Sequence, residues 1–338
     1  MRAVSILAAI LGLAGIAALV AVFGAAAVMR SLLAVGWQGF AAICLIHLGL
    51  IAVMGIAWWG LVPGAPRWVF LWARLLREAG SEILPLSPVG GCVIGARALS
   101  LVGIPGSIAA ASTIVDLTLE FLAKLAYTAL ALVLLVSLRP GSEMALPLSL
   151  GLAAASLAAA GFVAAQQRGF GPLDRLARRL GRGWAERTSA GAAALHAALR
   201  QIYALKARLW AGLLLHVACW IAGGLEAWLA LRLAGAPLPF KTVLVIEGLL
   251  YAIRTFAFAI PNAVGVQEGA YVLIGASFGL TPGMALALSL LKRARDLTIG
   301  LPALGAWQII EGRRLWHRSE RSSIKAAGSG GVLNRRES

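Results

Sequence analysis

The sequence predicts an all-α, polytopic integral membrane protein with about six transmembrane helices plus two re-entrant helical hairpins in an inverted repeat. Three observations predict it. Of 338 residues 60% are hydrophobic and 13% charged, and the mean hydropathy of +0.86 lies outside the range of soluble domains. Six apolar segments reach the roughly 20 residues that a hydrocarbon core of about 30 Å demands. Two further stretches are interrupted by proline and glycine, and they stand in corresponding places of the two halves.

The first apolar run, about 3–27, follows Met1 and Arg2 and exceeds a signal-peptide core, so it reads as a retained span although Ala25-Ala26-Ala27 imitates a cleavage site. A second span covers about 38–61. The stretch 67–104 is broken by Pro85, Pro88, Gly90, Gly91, Gly95 and Gly103. Spans at about 107–137 and 145–165 follow, then a polar linker at 166–208 and a fifth span at 209–233. The stretch 243–280 is broken by Pro261, Gly265, Gly269, Gly275 and Gly279, and a last span covers 283–310. In lipid every backbone N–H and C=O must be satisfied, so interrupted helices survive at membrane depth only when buried in protein or lining a wet cavity. Each broken stretch therefore reads as a hairpin that enters and leaves by one side, with Pro85, Gly90 and Gly91 as breakers of the first and Pro261, Gly265 and Gly269 of the second.

Charge sets the orientation. The net charge is +16, and the linker 166–208 carries nine Lys/Arg against two Asp/Glu while 311–338 carries seven against three. Both read as cytoplasmic, with Arg2 and the loop from Arg67 to Arg77, which places both termini inside and the chain in a cell inner membrane. The membrane domain is expected over 1–315, and 316–338 as a disordered basic tail. Nucleic acid is not an expected partner, because no polar segment is long enough to fold into a basic module. Leu176, Leu180 and Trp184 recur at helical spacing among Arg175, Arg178, Arg179 and Arg182, the pattern of an interfacial helix on anionic lipid. Many of the eleven tryptophans stand near span ends, as interface anchors do.

Shifting the second half by 176 residues places Pro85 on Pro261, Gly103 on Gly279 and Glu120 on Asp296. Repeat one is then about 38–137 and repeat two about 209–310, entered by the hairpins from opposite sides. Inverted repeats with broken helices mark secondary transporters, whose substrate sits near the midplane between the halves.

Ions stand where lipid should exclude them. A charge at the bilayer centre costs about 2.5–3.5 kcal/mol on insertion scales, so it needs a partner or a cavity. Asp116, Glu120 and Lys124 share one helix face at i, i+4, i+8. Lys292, Arg293, Arg295 and Asp296 crowd the last span, and the excess acid of the one and excess base of the other suggest that the two pair. Arg77, Glu78, Glu82 and Arg97 in the first hairpin, and Arg254, Asn262, Gln267 and Glu268 in the second, join Lys292 and Arg293 as a substrate-binding set. Asp116, Glu120, Glu226 and Asp296 are proton or ion-pair candidates; Glu226 alternatively pairs with Arg254. The competing reading makes all these ions internal salt bridges that fix helix register. Arg67, Arg74 and Arg77 are also explained by positive-inside anchoring.

His47 and His216 each sit alone in an apolar span, which suggests packing or a helix-to-helix hydrogen bond rather than a metal. Cys44, Cys92 and Cys219 form no C-x-x-C pair and read as small apolar residues. No metal or cofactor is expected. Nucleotide, zinc-hydrolase and serine-hydrolase motifs are absent. Asp116 and Glu120 as a metal-diphosphate site lack a second acidic cluster and have Lys124 beside them, so no catalytic residue is assigned and the chain is not expected to be an enzyme.

The stretch Arg77-Glu78-Ala79-Gly80 through Pro85, Gly90-Gly91, Gly103 and the Asp116/Glu120 helix, with Pro261-Asn262-Ala263-Val264-Gly265-Val266-Gln267-Glu268-Gly269, resembles the flippase-like membrane domain shared with the transmembrane part of lysylphosphatidylglycerol synthases. The run from Ala287 to Asp296 and Trp307-Gln308 is similar to the branch associated with hopanoid biosynthesis. The resemblance covers most of 1–315 and departs from the synthases in lacking their soluble aminoacyl-transferase domain, so transferase chemistry does not carry over. It implies an inner-membrane protein that moves or delivers a lipid, a hopanoid or a phospholipid, without ATP. The alternative is a non-transporting scaffold or accessory subunit among lipid-biosynthesis proteins.

Overall fold

The computed structural model describes residues 25–83, 87–168, 182–257, 260 and 263–333. Among them are ten helices: α1 Ala25–Trp59, α2 Arg67–Ile83, α3 Ser87–Leu101, α4 Gly106–Leu138, α5 Ala145–Arg168, α6 Arg182–Ala204, α7 Lys206–Leu233, α8 Phe240–Phe256, α9 Val266–Ser277 and α10 Pro282–Leu333. Proline and glycine punctuate them. Pro105 and Pro239 cap the starts of α4 and α8, and Pro282 opens α10, a position where its missing N–H is not needed. Gly265 turns the chain into α9 at φ +83°, and Glu268 reaches back to its N–H at 2.8 Å. Gly103 and Gly279, matched by the 176-residue shift, both take positive φ in the turns that leave the hairpins.

Among the described residues four helices are long and apolar enough to cross a membrane: Leu33–Trp59, Gly106–Leu138, Ala145–Gln167 and Lys206–Leu233. They correspond to the expected second to fifth spans. The first expected span falls almost wholly on residues 1–24, outside the described ones. The last lies in α10, where Lys292, Arg293, Arg295 and Asp296 interrupt the apolar run. The helix α10 runs as far as Leu333, into the stretch 316–338. Most of the expected interfacial helix, including Leu176 and Leu180, falls on 169–181, outside the described residues.

The expected breakers divide. Gly90 and Gly91 lie inside α3 and Gly269 inside α9, so these three interrupt nothing. Gly91 instead brings two helices together: a Cβ there would collide with the Arg77 carbonyl and with Ser81, and Gly80 faces Gly91 in turn. The antiparallel pair α2/α3 thus packs backbone against backbone, as small residues permit in lipid. Pro85 and Pro261 lie outside the described residues. The hairpin arms are short, 17 and 15 residues in α2 and α3 and 17 and 12 in α8 and α9. At 1.5 Å per residue the longest is about 25 Å, less than the hydrocarbon thickness.

The helices pack in matching sets. α1 packs on α2, α2 on α3 and α3 on α4; correspondingly α7 packs on α8, α8 on α9 and α9 on α10. Across the halves, α4 packs on α7 and α8, just as α10 packs on α1 and α2, and α1 meets α7. Two apolar clusters form the interior, but the exterior is apolar too and charged groups are among the buried ones. Leu45, Leu157 and Leu273 are 68%, 75% and 74% exposed, whereas Arg74, Asp116, Glu247 and Glu268 are at most 1% exposed. An apolar exterior around charged groups is stable only where the exterior faces hydrocarbon.

Candidate functional site

Two helices of the first half carry the first ion cluster. Arg74 and Arg77, one turn apart on α2, point at Asp116 and Glu120, one turn apart on α4. Arg77 donates to Asp116 at 2.6 Å and to Glu120 at 2.5 Å, and Arg74 donates to Glu120 at 2.6 Å and to Glu78 at 2.8 Å. Lys124 closes the set on Glu120 at 3.1 Å and lies 4.8 Å over the Trp220 ring. The Arg77 guanidinium stacks 5.1 Å over Trp58, whose indole N–H donates to Ser112. His216 Nε2 lies 3.1 Å from the other oxygen of Asp116.

The second half holds the counterpart with signs exchanged. Glu247 on α8 accepts from Lys292 on α10 at 2.5 Å and from the Tyr271 hydroxyl at 2.6 Å. One turn on, Arg295 pairs with Glu226 of α7 and with its neighbour Asp296 at 2.6 Å. His47 of α1 completes this cluster, with Nδ1 3.1 Å from Glu226 and Nε2 4.0 Å from Asp296. Arg254 of α8 donates to Glu82 of α2 at 3.0 Å, which ties the two hairpins to each other.

These groups enclose a cavity of about 390 Å³. Its charged walls are Arg74, Arg77, Glu78, Glu82, Glu120, Lys124, Glu226, Arg254, Lys292 and Arg295, and His47, Trp220 and Tyr251 contribute rings. Trp220 and Tyr251 meet edge to face at 4.4 Å and form an aromatic corner beside Lys124. Each of the six wall cations has a carboxylate within salt-bridge distance. The cavity therefore presents many fixed dipoles and little net charge, a surface that suits a polar group dense in hydrogen-bonding atoms.

Of the expected substrate-binding set, Arg77, Glu78, Glu82, Arg254 and Lys292 meet at this cavity. Gln267, Glu268 and Arg293 do not line it: Gln267 donates to Ser289 at 2.8 Å, Ser289 to Glu268 at 2.8 Å, and Arg293 to Glu268 at 2.6 Å, a network between α9 and α10. Arg97 pairs with Glu311 at 2.8 Å on the exposed edge between α3 and α10. Asn262 lies outside the described residues. The four proton or ion-pair candidates all enter ion pairs; Glu120 takes Lys124 of its own helix face, while Asp116 and Glu226 take other partners than expected. Asp116 and Lys292 do not pair, because each is held by its own half's hairpin helix, and Glu226 takes Arg295 and His47 rather than Arg254. Arg74, explained by anchoring in the sequence, is 1% exposed and central. The two histidines make the anticipated helix-to-helix contacts, but to carboxylates. Their signal was in the sequence, since an imidazole in an apolar span needs a polar partner and the acids nearby were its candidates.

The family model described as "Lysylphosphatidylglycerol synthase TM region" matches residues 6–303. No curated protein and no solved structure matches the chain.

Proposed function

The chain belongs to the lysylphosphatidylglycerol synthase TM region family, and from that premise we propose that it moves or delivers a lipid within a cell inner membrane, as a transporter rather than an enzyme and without ATP. The ion-lined cavity enclosed by an apolar exterior carries this reading. A lipid needs both environments at once: a polar chamber that replaces water around the headgroup, and bilayer around the apolar body. The matching packing of α1–α4 and α7–α10 supports two repeats that place the cavity at their interface, where alternating-access transporters hold substrate. Both termini are proposed to be cytoplasmic, with the basic linker and tail against anionic lipid.

The lipid we favour is a hopanoid or a related lipid with an uncharged polar headgroup. The wall cations already hold carboxylates, so an anionic phosphate would have to displace one. The same saturation favours the second reading, a scaffold among lipid-biosynthesis proteins whose ions hold only each other. Proteoliposomes separate the two. Exchange between leaflets of hopanoid and phospholipid probes is expected to exceed that of protein-free vesicles, and Arg254→Gln, which leaves Glu82 on the cavity wall without that partner, is expected to slow it. Equal rates with and without protein, for every probe, would reject transport.

A further inference from the structure

The buried ions do not balance locally, and the imbalance has an address. In the first half Arg74, Arg77 and Lys124 face Glu78, Asp116 and Glu120, three cations to three carboxylates. Arg254 balances Glu82, and Lys292 balances Glu247. At the remaining cluster one cation, Arg295, serves two carboxylates, Glu226 and Asp296. One negative charge is left over among the described residues, and it stands beside His47.

The two histidines differ in a way that locates the missing charge. His216 meets one carboxylate, through Nε2 and Asp116, and its buried Nδ1 has no hydrogen-bond partner. One N–H, on Nε2, meets that carboxylate. His47 has a carboxylate within hydrogen-bond distance at Nδ1, Glu226 at 3.1 Å, and a second, Asp296, 4.0 Å from Nε2, within ion-pair but not hydrogen-bond reach. A neutral imidazole carries one N–H, and a ring that donates it to Glu226 turns the Nε2 lone pair toward the Asp296 carboxylate 4.0 Å away. One further proton removes both that repulsion and the surplus charge.

We propose that His47, Glu226 and Asp296 form a proton-binding site on the cavity wall, which takes one proton between the imidazole and the two carboxylates. The charged groups around it are Glu226 from α7, Arg295, Asp296 and Lys292 from α10, and Glu78 and Glu82 from α2, the last held by Arg254 of α8; Cys44 is its neighbour on α1. His47 borders the main cavity on one side and a small crevice with Asp296 on the other, so a proton has a route from the chamber. The site stands independently of lipid movement; its use to drive that movement would rest on the function proposed above.

Nitrogen-15 spectra of the histidine side chains in detergent-solubilised protein test the site directly. The four histidines are assigned with His47→Gln, and His216 is the internal reference. On lowering the pH the His47 ring is expected to pass from one N–H to two. Glu226→Gln and Asp296→Asn, each of which removes the surplus charge, are expected to move that transition to lower pH and leave His216 unmoved. A His47 transition that neither variant shifts overturns the proposal, and so does a ring that responds to added sodium at constant pH, which would make this a metal-cation site.

Discussion

Replacing Arg77 by glutamine probes the buried network at the cation that lies closest to both α4 carboxylates. The wild-type guanidinium is 2% exposed and joins Asp116 at 2.6 Å to Glu120 at 2.5 Å. In the variant Glu120 keeps Arg74 and Lys124, but fully buried Asp116 keeps only His216 within 3.1 Å and a distant Arg74 nitrogen at 3.8 Å. Removing one partner of a buried pair destabilises by about 3–5 kcal/mol. A ceiling follows from the alternative open to any stripped carboxylate: protonation from the ordinary aspartate value costs about 4 kcal/mol at pH 7. The loss should therefore be about 3–4 kcal/mol at pH 7. The double variant Arg77→Gln/Asp116→Asn removes both charges and should recover most of the loss. Reversible unfolding in mixed detergent micelles, read by tryptophan fluorescence at several pH values, measures all three. If Arg77→Gln costs less than about 1 kcal/mol, or the double variant is no more stable than the single, the pair is not a buried, desolvated one and the reasoning fails.

Gly91→Ala drives a Cβ into the Arg77 carbonyl and should destabilise the α2/α3 hairpin by about 1–3 kcal/mol, whereas Gly269→Ala meets nothing within 4 Å and should gain up to about 1 kcal/mol from its helical position; the same unfolding assay reads both. Arg97→Ala breaks a pair whose arginine side chain is 44% exposed, so it should cost under about 1 kcal/mol and leave lipid exchange unchanged. Cysteines placed at Pro85 and Pro261 in a variant lacking Cys44, Cys92 and Cys219 should react with impermeant maleimide from opposite sides of the membrane, and labelling from one side would remove the inverted repeat.

Several features of the protein follow from its residues taken singly or by spacing. Among the described residues four helices are long and apolar enough to cross a bilayer, and they lie within a few residues of four of the six runs that hydropathy marks, because span length is a one-dimensional property of the chain. The interruptions between them, and the i, i+4 spacing that puts Asp116, Glu120 and Lys124 on one face of α4, are equally local. A charged residue in an apolar run also announces that a partner exists. Which partner is not local, since it depends on how helices far apart in sequence cross. Asp116 and Lys292, suggestively opposite in sign, turned to the hairpin of their own half, and Arg74, an ordinary anchor by position, came to the centre of the network. Glycine shows the same division: composition marks Gly91 as a breaker, but within α3 its missing Cβ is what lets α2 approach. The sequence by itself determined the class of molecule and the groups that had to be sheltered from lipid. Only the tertiary structure decided which of them share a cavity, because a salt bridge depends on distances of a few ångströms between side chains far apart in sequence, 43 residues at Arg77 and Glu120 and 172 at Glu82 and Arg254.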